Sequence, residues 1–115
     1  MDFYSEKITI PCTKIIRFVK DHELLRIESL QNYCKVYLVS GELLVSTQNL
    51  STYISKLNKS SFFHCHKSHL INLEHLEAYD KSGFVVLYGE VKVPVSRRRR
   101  KDFIELINST MLTTH

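Results

Sequence analysis

The chain opens as a series of short apolar or β-branched runs broken by polar residues: Lys7 to Cys12, Ile15 to Lys20 and Leu24 to Leu30. Runs of that length and composition predict consecutive short strands. Across Cys34, Val36 and Leu38 the apolar positions alternate with Lys35 and Tyr37, which predicts a half-buried strand with a polar, aromatic outer face. Ser29 to Tyr33, containing Gln31 and Asn32, reads as a turn-like segment ahead of that strand. Ser40-Gly41-Glu42 reads as a hairpin turn into Leu43 to Val45.

The period then changes. Leu50, Tyr53, Ile54 and Leu57 recur at i, i+3, i+4 and i+7, predicting a core-packing helix over Asn49 to Leu57 with Asn49 or Thr47 as its cap. Phe62-Phe63 lead into HCHKSHLINL, a polar, His-rich stretch between two apolar anchors. Phe84 to Tyr88 and Val91 to Val95 flank Gly89-Glu90 as a second hairpin, which runs straight into Ser96. Phe103, Ile104 and Ile107 continue at helical spacing, with the Ser96 hydroxyl as N-cap. Asn108 to His115 is polar and Thr-rich, an end expected to fray. About eight short strands and two helices make a mainly β (α+β) domain with a helix at its C-terminal end.

Composition narrows the class. A chain of 115 residues is one domain with a real core, and 43% hydrophobic with 24% charged residues is an ordinary globular balance. No apolar run reaches the ~18 residues of a membrane span, and the N-terminus lacks the basic and apolar regions of a signal peptide. A cytoplasmic protein without membrane association is the expectation. Cys12, Cys34 and Cys65 are odd in number and widely spaced, which argues for reduced, mostly buried thiols.

Charge supplies the first functional pointer. The net charge of +4 is modest, but five of the 16 basic residues sit in Arg97 to Lys101. Four arginines at a helix N-terminus oppose the dipole, which favours anions there. An external phosphate resolves the conflict; a solvated basic helix tip is the alternative.

Other chemistries compete at the histidines. His64 and His66 on one strand face, with His69 folded over them, would offer three metal ligands. Cys12, Cys34 and His75 show no ligand-type spacing to complete a second cluster, so no metal or other cofactor is expected. Cys65 and His66 are adjacent, hence on opposite faces, and make a poor nucleophile–base pair. Paired imidazoles with a lysine would suit a ribonuclease. The reading preferred over these enzymes is nucleic-acid binding, because His66-Lys67-Ser68-His69 offers donors to phosphates and base edges, and Asn32, Tyr33 and Lys35 form another polar patch. With the arginines, that makes three separated segments, which would have to share one face.

At these residues the chain resembles the LytTR (LytR/AlgR-type) DNA-binding domains of bacterial transcription and response regulators. FFHCHKSHLINL is similar to the family's F-x-R-x-H-[RK]-S-[YFH]-[LIV]-[VI]-N core, and VKVPVSRRRRKDF to its V-P-V-S-R-[RK] ending. LLRIESLQNYCKVYL and SGELLVSTQNLSTYISKL resemble the preceding strands, hairpin and helix. The resemblance covers about residues 6 to 108 of a single domain, 1–115. It implies elongated antiparallel β-sheets with one short helix and a C-terminal helix. It also implies loops inserted into successive major grooves of double-stranded DNA at paired promoter repeats, with bending and room for a homodimer on the DNA.

By position, Asn32 to Lys35 would supply a loop after the third strand, and Lys67 and Arg98 the main base contacts. His64, Ser68, His69, Arg97, Arg99 and Lys101 complete the implied DNA-binding set, while His66 and Asn72 are scaffold. A step of about 100° per residue also puts Arg98 opposite the Phe103 stripe and Arg100 on its side. His64 stands where the family commonly has arginine. No receiver domain of the kind many members carry is recognisable, so the chain reads as a standalone regulator or the C-terminal domain of a longer one. An RNA-binding or protein-interaction module on the same fold is the alternative.

Overall fold

A computed structural model describes residues 7–110. Among them are ten strands and two α-helices. β1 (Lys7–Pro11) and β2 (Ile16–Lys20) form a two-stranded ribbon. β3 (Leu24–Leu30), β4 (Tyr33–Leu38), β5 (Leu43–Ser46), β6 (Phe62–His66) and β7 (His69–Asn72) form a five-stranded sheet in the order β5-β4-β3-β7-β6. β8 (Leu76–Asp80), β9 (Phe84–Leu87) and β10 (Val91–Pro94) make a three-stranded sheet in the order β10-β9-β8. Every pairing is antiparallel. α1 (Leu50–Lys56) joins β5 to β6, and α2 (Arg100–Thr110) follows a 3₁₀ turn over Arg97–Arg99.

The alternation at Cys34, Val36 and Leu38 carries the architecture, because it gives the central sheet two working faces. Those three side chains are buried with Ile10 and Val19 of the ribbon and Leu50 and Tyr53 of α1 in one core. The opposite face of β6 and β7, through Cys65 and Ile71, packs with Val85, Leu87 and Val93 of the small sheet and Phe103 of α2 in a second. Phe103 is fully buried, which contributes roughly 2–3 kcal/mol of transfer free energy.

Local chemistry sets the ends of the elements. The Asn49 carboxamide oxygen accepts from Thr52 N at 3.0 Å and caps α1, worth about 1 kcal/mol. Gly89 (φ 83°) and Glu90 (φ 62°) are both left-handed, the pattern of a type I′ hairpin turn between β9 and β10. Asn72 is buried, and its Nδ2 donates to the Asp21 and Leu24 carbonyls at 3.0 and 2.8 Å. Its Oδ1 accepts from Glu74 N at 3.0 Å, so one side chain ties the entry of β3 to the exit of β7.

Several sequence expectations change. The His-rich stretch is a hairpin of two strands, and Leu76–Asp80 is a strand the hydrophobic pattern does not reveal, hence ten strands and not eight. The Ser29 to Tyr33 turn shrinks to Gln31-Asn32, because Leu30 and Tyr33 are already paired. Ile104 is 37% exposed, and the inward stripe of α2 is Phe103, Leu106 and Ile107. The Ser96 hydroxyl makes no cap hydrogen bond; its backbone carbonyl accepts from Arg99 N at 2.9 Å instead. Asn108 and Ser109 continue α2, whereas residues 111–115 of the expected frayed end lie outside the described residues.

Candidate nucleic-acid interface

Antiparallel pairing of β3 with both β4 and β7 puts two hairpin turns at the same end of the central sheet. These are Gln31-Asn32 between β3 and β4, and Lys67-Ser68 between β6 and β7. Ser29 N donates to the Ser68 carbonyl at 2.8 Å, linking one turn to the other. On the other side of the His-bearing hairpin, Ser96 N donates to the Cys65 carbonyl at 2.8 Å and fixes the start of the arginine run against β6. The three polar segments therefore meet through two backbone hydrogen bonds.

Within this arrangement Asn32, Tyr33, Lys67, Arg97, Arg98 and Lys101 are exposed, while His64, His69, Ser68, Lys35 and Arg99 are half-buried. Tyr33 and Lys35 do not lie in a loop as expected; both belong to β4, which begins as soon as the two-residue turn closes. Lys35 stands opposite Glu28 on the outer face, three residues beyond Asn32 of the tip. Gln31, exposed and left-handed (φ 56°), lies in the turn expected there but is absent from the set of implied DNA contacts.

The histidines act largely as supports. His66 Nδ1 accepts from Ser68 N at 3.1 Å and holds the Lys67-Ser68 turn. Its ring lies 5.2 Å from that of His69. Arg99 Nη2 lies 3.4 Å from His64 Nδ1; a guanidinium only donates, so Nδ1 is the acceptor and that imidazole is neutral. Burial, with the Arg99 and His66 charges adding to it against a backbone contact from Lys67, holds His64 below its ordinary pKa of 6.5. Burial likewise lowers His69, opposed by nearby Glu28.

Asn72, expected as scaffold, does hold backbone, although at the opposite end of β7 from the Lys67-Ser68 turn. Among the described residues no group of three or more His, Cys, Asp or Glu is placed to share a metal ion. The Cys65 thiol is buried, lies 3.5 Å from the Pro94 carbonyl, and is pushed up to about 12 by desolvation. A thiol so far from its thiolate is an inert packing group.

The arginine run divides by direction. Arg97 and Arg98 face outward; Arg99 turns to His64. Arg100 folds back over Gly83, its Nε donating to the Val95 carbonyl at 3.2 Å, as the helical wheel anticipates. Among the described residues the ion pairs are Arg17–Glu42 and Arg26–Glu28, so no carboxylate pairs with a cation of the three segments. His64, His66, Lys67, Ser96, Arg98 and Arg99 together line a cleft of about 240 Å³. The Lys67 ammonium and the Arg98 and Arg99 guanidinium groups make it a cleft with cationic donors, suited to phosphate oxygens and base-edge acceptors. No described helix is long and apolar enough to cross a membrane.

Residues 14–108 match the model of the LytTr DNA-binding domain. The transcriptional regulatory protein YpdB of Escherichia coli K12 is 32% identical over 72 residues, covering 58% of this chain and 30% of the relative. YpdB of Shigella flexneri matches with the same identity and coverage. The chain thus spans about 30% of the length of the curated relatives it matches. A solved LytTr DNA-binding domain from Bacillus cereus superposes with a TM-score of 0.75 at 22% identity, covering 89% of this chain and 96% of that one.

Proposed function

Because the chain belongs to the LytTr DNA-binding domain family, we propose that residues 1–115 act as one sequence-specific, double-stranded DNA-binding unit in transcriptional regulation. The observation that carries this reading is the pair of backbone bonds, Ser29 N to Ser68 O and Ser96 N to Cys65 O, which gather three polar segments at one end of a rigid sheet. Site elements on paired strands hold their geometry better than elements on free loops.

In this proposal Lys67 and Arg98 reach base edges in the major groove, the Arg98 fork reading guanine O6 and N7 and Lys67 acting as a single charge. Arg97, Arg99 and Lys101 hold phosphates. Asn32 and Tyr33 supply a second contact from the β3–β4 turn, with Lys35 behind them, and Ser68 and His69 flank Lys67. His64 contacts phosphate only when protonated, since its neutral ring already serves Arg99. The two hairpin turns and the arginine turn occupy successive grooves, bend the duplex and recognise paired repeats, on which two copies of the chain sit side by side. The activity is binding without catalysis, in the cytoplasm, and in a longer regulator a receiver domain would control it.

Salt dependence tests the proposal. With about three phosphates neutralised, log K should fall with log[salt] at a slope of about −2.7, roughly 40-fold between 50 and 200 mM. Duplex DNA should outcompete structured RNA of equal length. Affinity that stays flat with salt, or a preference for RNA, would overturn it.

A further inference from the structure

Between α1 and β6 the surface opens into a second cleft, of about 320 Å³, at the lower end of the range that small-molecule sites occupy. Its walls are apolar, with Ile54 on α1, Phe62 on β6 and Leu70 on β7. The polar side chains that line it are Lys59, His64 and Arg99, all basic, and no carboxylate accompanies them. Ile54 is half-buried and offers apolar surface at the mouth, above a floor in which Phe62 and Leu70 are buried.

We infer that this cleft binds an amphiphilic carboxylate, an alkanoate or arylalkanoate whose apolar body lies against Ile54, Phe62 and Leu70. Its carboxylate faces the Arg99 guanidinium and the Lys59 ammonium. A guanidinium meets a carboxylate with two parallel N–H···O bonds, which gives the head group a defined seat. Lys59 is exposed, so its charge is free to approach the head from the solvent side.

Arg99 and His64 also line the cleft of Lys67 and Arg98. A bound carboxylate therefore engages a guanidinium that a DNA phosphate would otherwise use. Because coupling between two ligands is reciprocal, the carboxylate weakens duplex binding and the duplex weakens the carboxylate. This coupling rests on the duplex-binding proposal; the carboxylate site does not.

Titration of the whole chain with sodium octanoate below its micelle concentration, followed by backbone amide NMR without DNA, tests the site. Saturable shifts should centre on Ile54, Phe62 and Leu70, with octanol and acetate each binding about tenfold more weakly. Lys59→Glu, at an exposed position, should weaken octanoate about tenfold and leave the unfolding midpoint unchanged. Equal binding of octanol and octanoate, an unaffected Lys59→Glu chain, or shifts that never saturate would overturn the site. Octanoate should also raise the apparent Kd for duplex DNA. Cleft binding that leaves duplex affinity unchanged overturns the coupling alone, whereas a chain that binds octanoate but no duplex counts against the duplex reading alone.

Discussion

The backbone N–H of Ser96 donates to the carbonyl of Cys65 at 2.8 Å, so the residue that opens the arginine turn is hydrogen-bonded to the middle of the histidine strand. Cys65 is itself fully buried and sits at a bulge between His64 and His66. The bulge lets a core side chain interrupt the polar ones while Lys67 stays outward.

Arg98 and Lys101 are both exposed but have different proposed partners, so their losses should differ in kind. Arg98→Ala should cost about 1–3 kcal/mol at one base-pair position and relax preference there. Lys101→Ala should weaken all duplexes alike and reduce the salt slope by about 0.9. Affinity measured against a panel of single-base variants of a selected site separates the two patterns.

Gly83 and Gly41 both have positive φ, +122° and +100°, but only Gly83 faces a neighbour. A Cβ at Gly83 would collide with the Arg100 guanidinium, whereas one at Gly41 meets nothing within 4 Å. Backbone strain should cost each alanine variant about 1–2 kcal/mol. Gly83→Ala should lose roughly 1 kcal/mol more, because Arg100 must leave the Val95 carbonyl. Urea unfolding of the two variants side by side checks the difference.

Asn72→Ala removes both donors that satisfy the Asp21 and Leu24 carbonyls and the acceptor for Glu74 N. Leaving buried polar groups unpaired should cost about 2–4 kcal/mol, and urea unfolding should show it as a lower midpoint with an unchanged slope.

The lowered pKa values of His64 and His69 make stability fall on the acid side. Both groups are neutral in the folded and unfolded chain well above 6.5, their ordinary value. Below it the unfolded chain takes up protons that the folded chain resists, so unfolding free energy should decline as pH falls from about 6.5 toward their folded values. For His64 the opposing charges are Arg99 and His66; for His69, Glu28 favours protonation while His66 and Arg26 oppose it. Urea midpoints at pH 7.5 and 5.5 should differ less in a His64→Gln, His69→Gln chain than in the unsubstituted one.

The helix at Leu50, Tyr53, Ile54 and Leu57 and the hairpin at Gly89-Glu90 were legible because period and turn chemistry are local. β8 was not, since its residues 76–80 are half-buried or exposed and show no apolar alternation. The Lys67-Ser68 turn carries no Gly, Pro, Asn or Asp to mark it, so the two strands it joins read as one polar stretch. The three site segments were identifiable by residue type. Their meeting depends on Glu28 pairing with both Lys35 and His69, a register that only the folded sheet specifies. The Ser96 hydroxyl suggests a cap, yet it is the Ser96 N–H that joins the arginine turn to β6.

The most direct measurement is amide NMR mapping of the chain on addition of a duplex selected from a random pool. The expected result is a single set of shifts confined to residues 31–35, 66–69 and 96–101, appearing together with one apparent Kd. Shifts confined to one of these segments, or centred on the β1–β2 ribbon or the β8–β9–β10 sheet, would contradict a shared DNA surface.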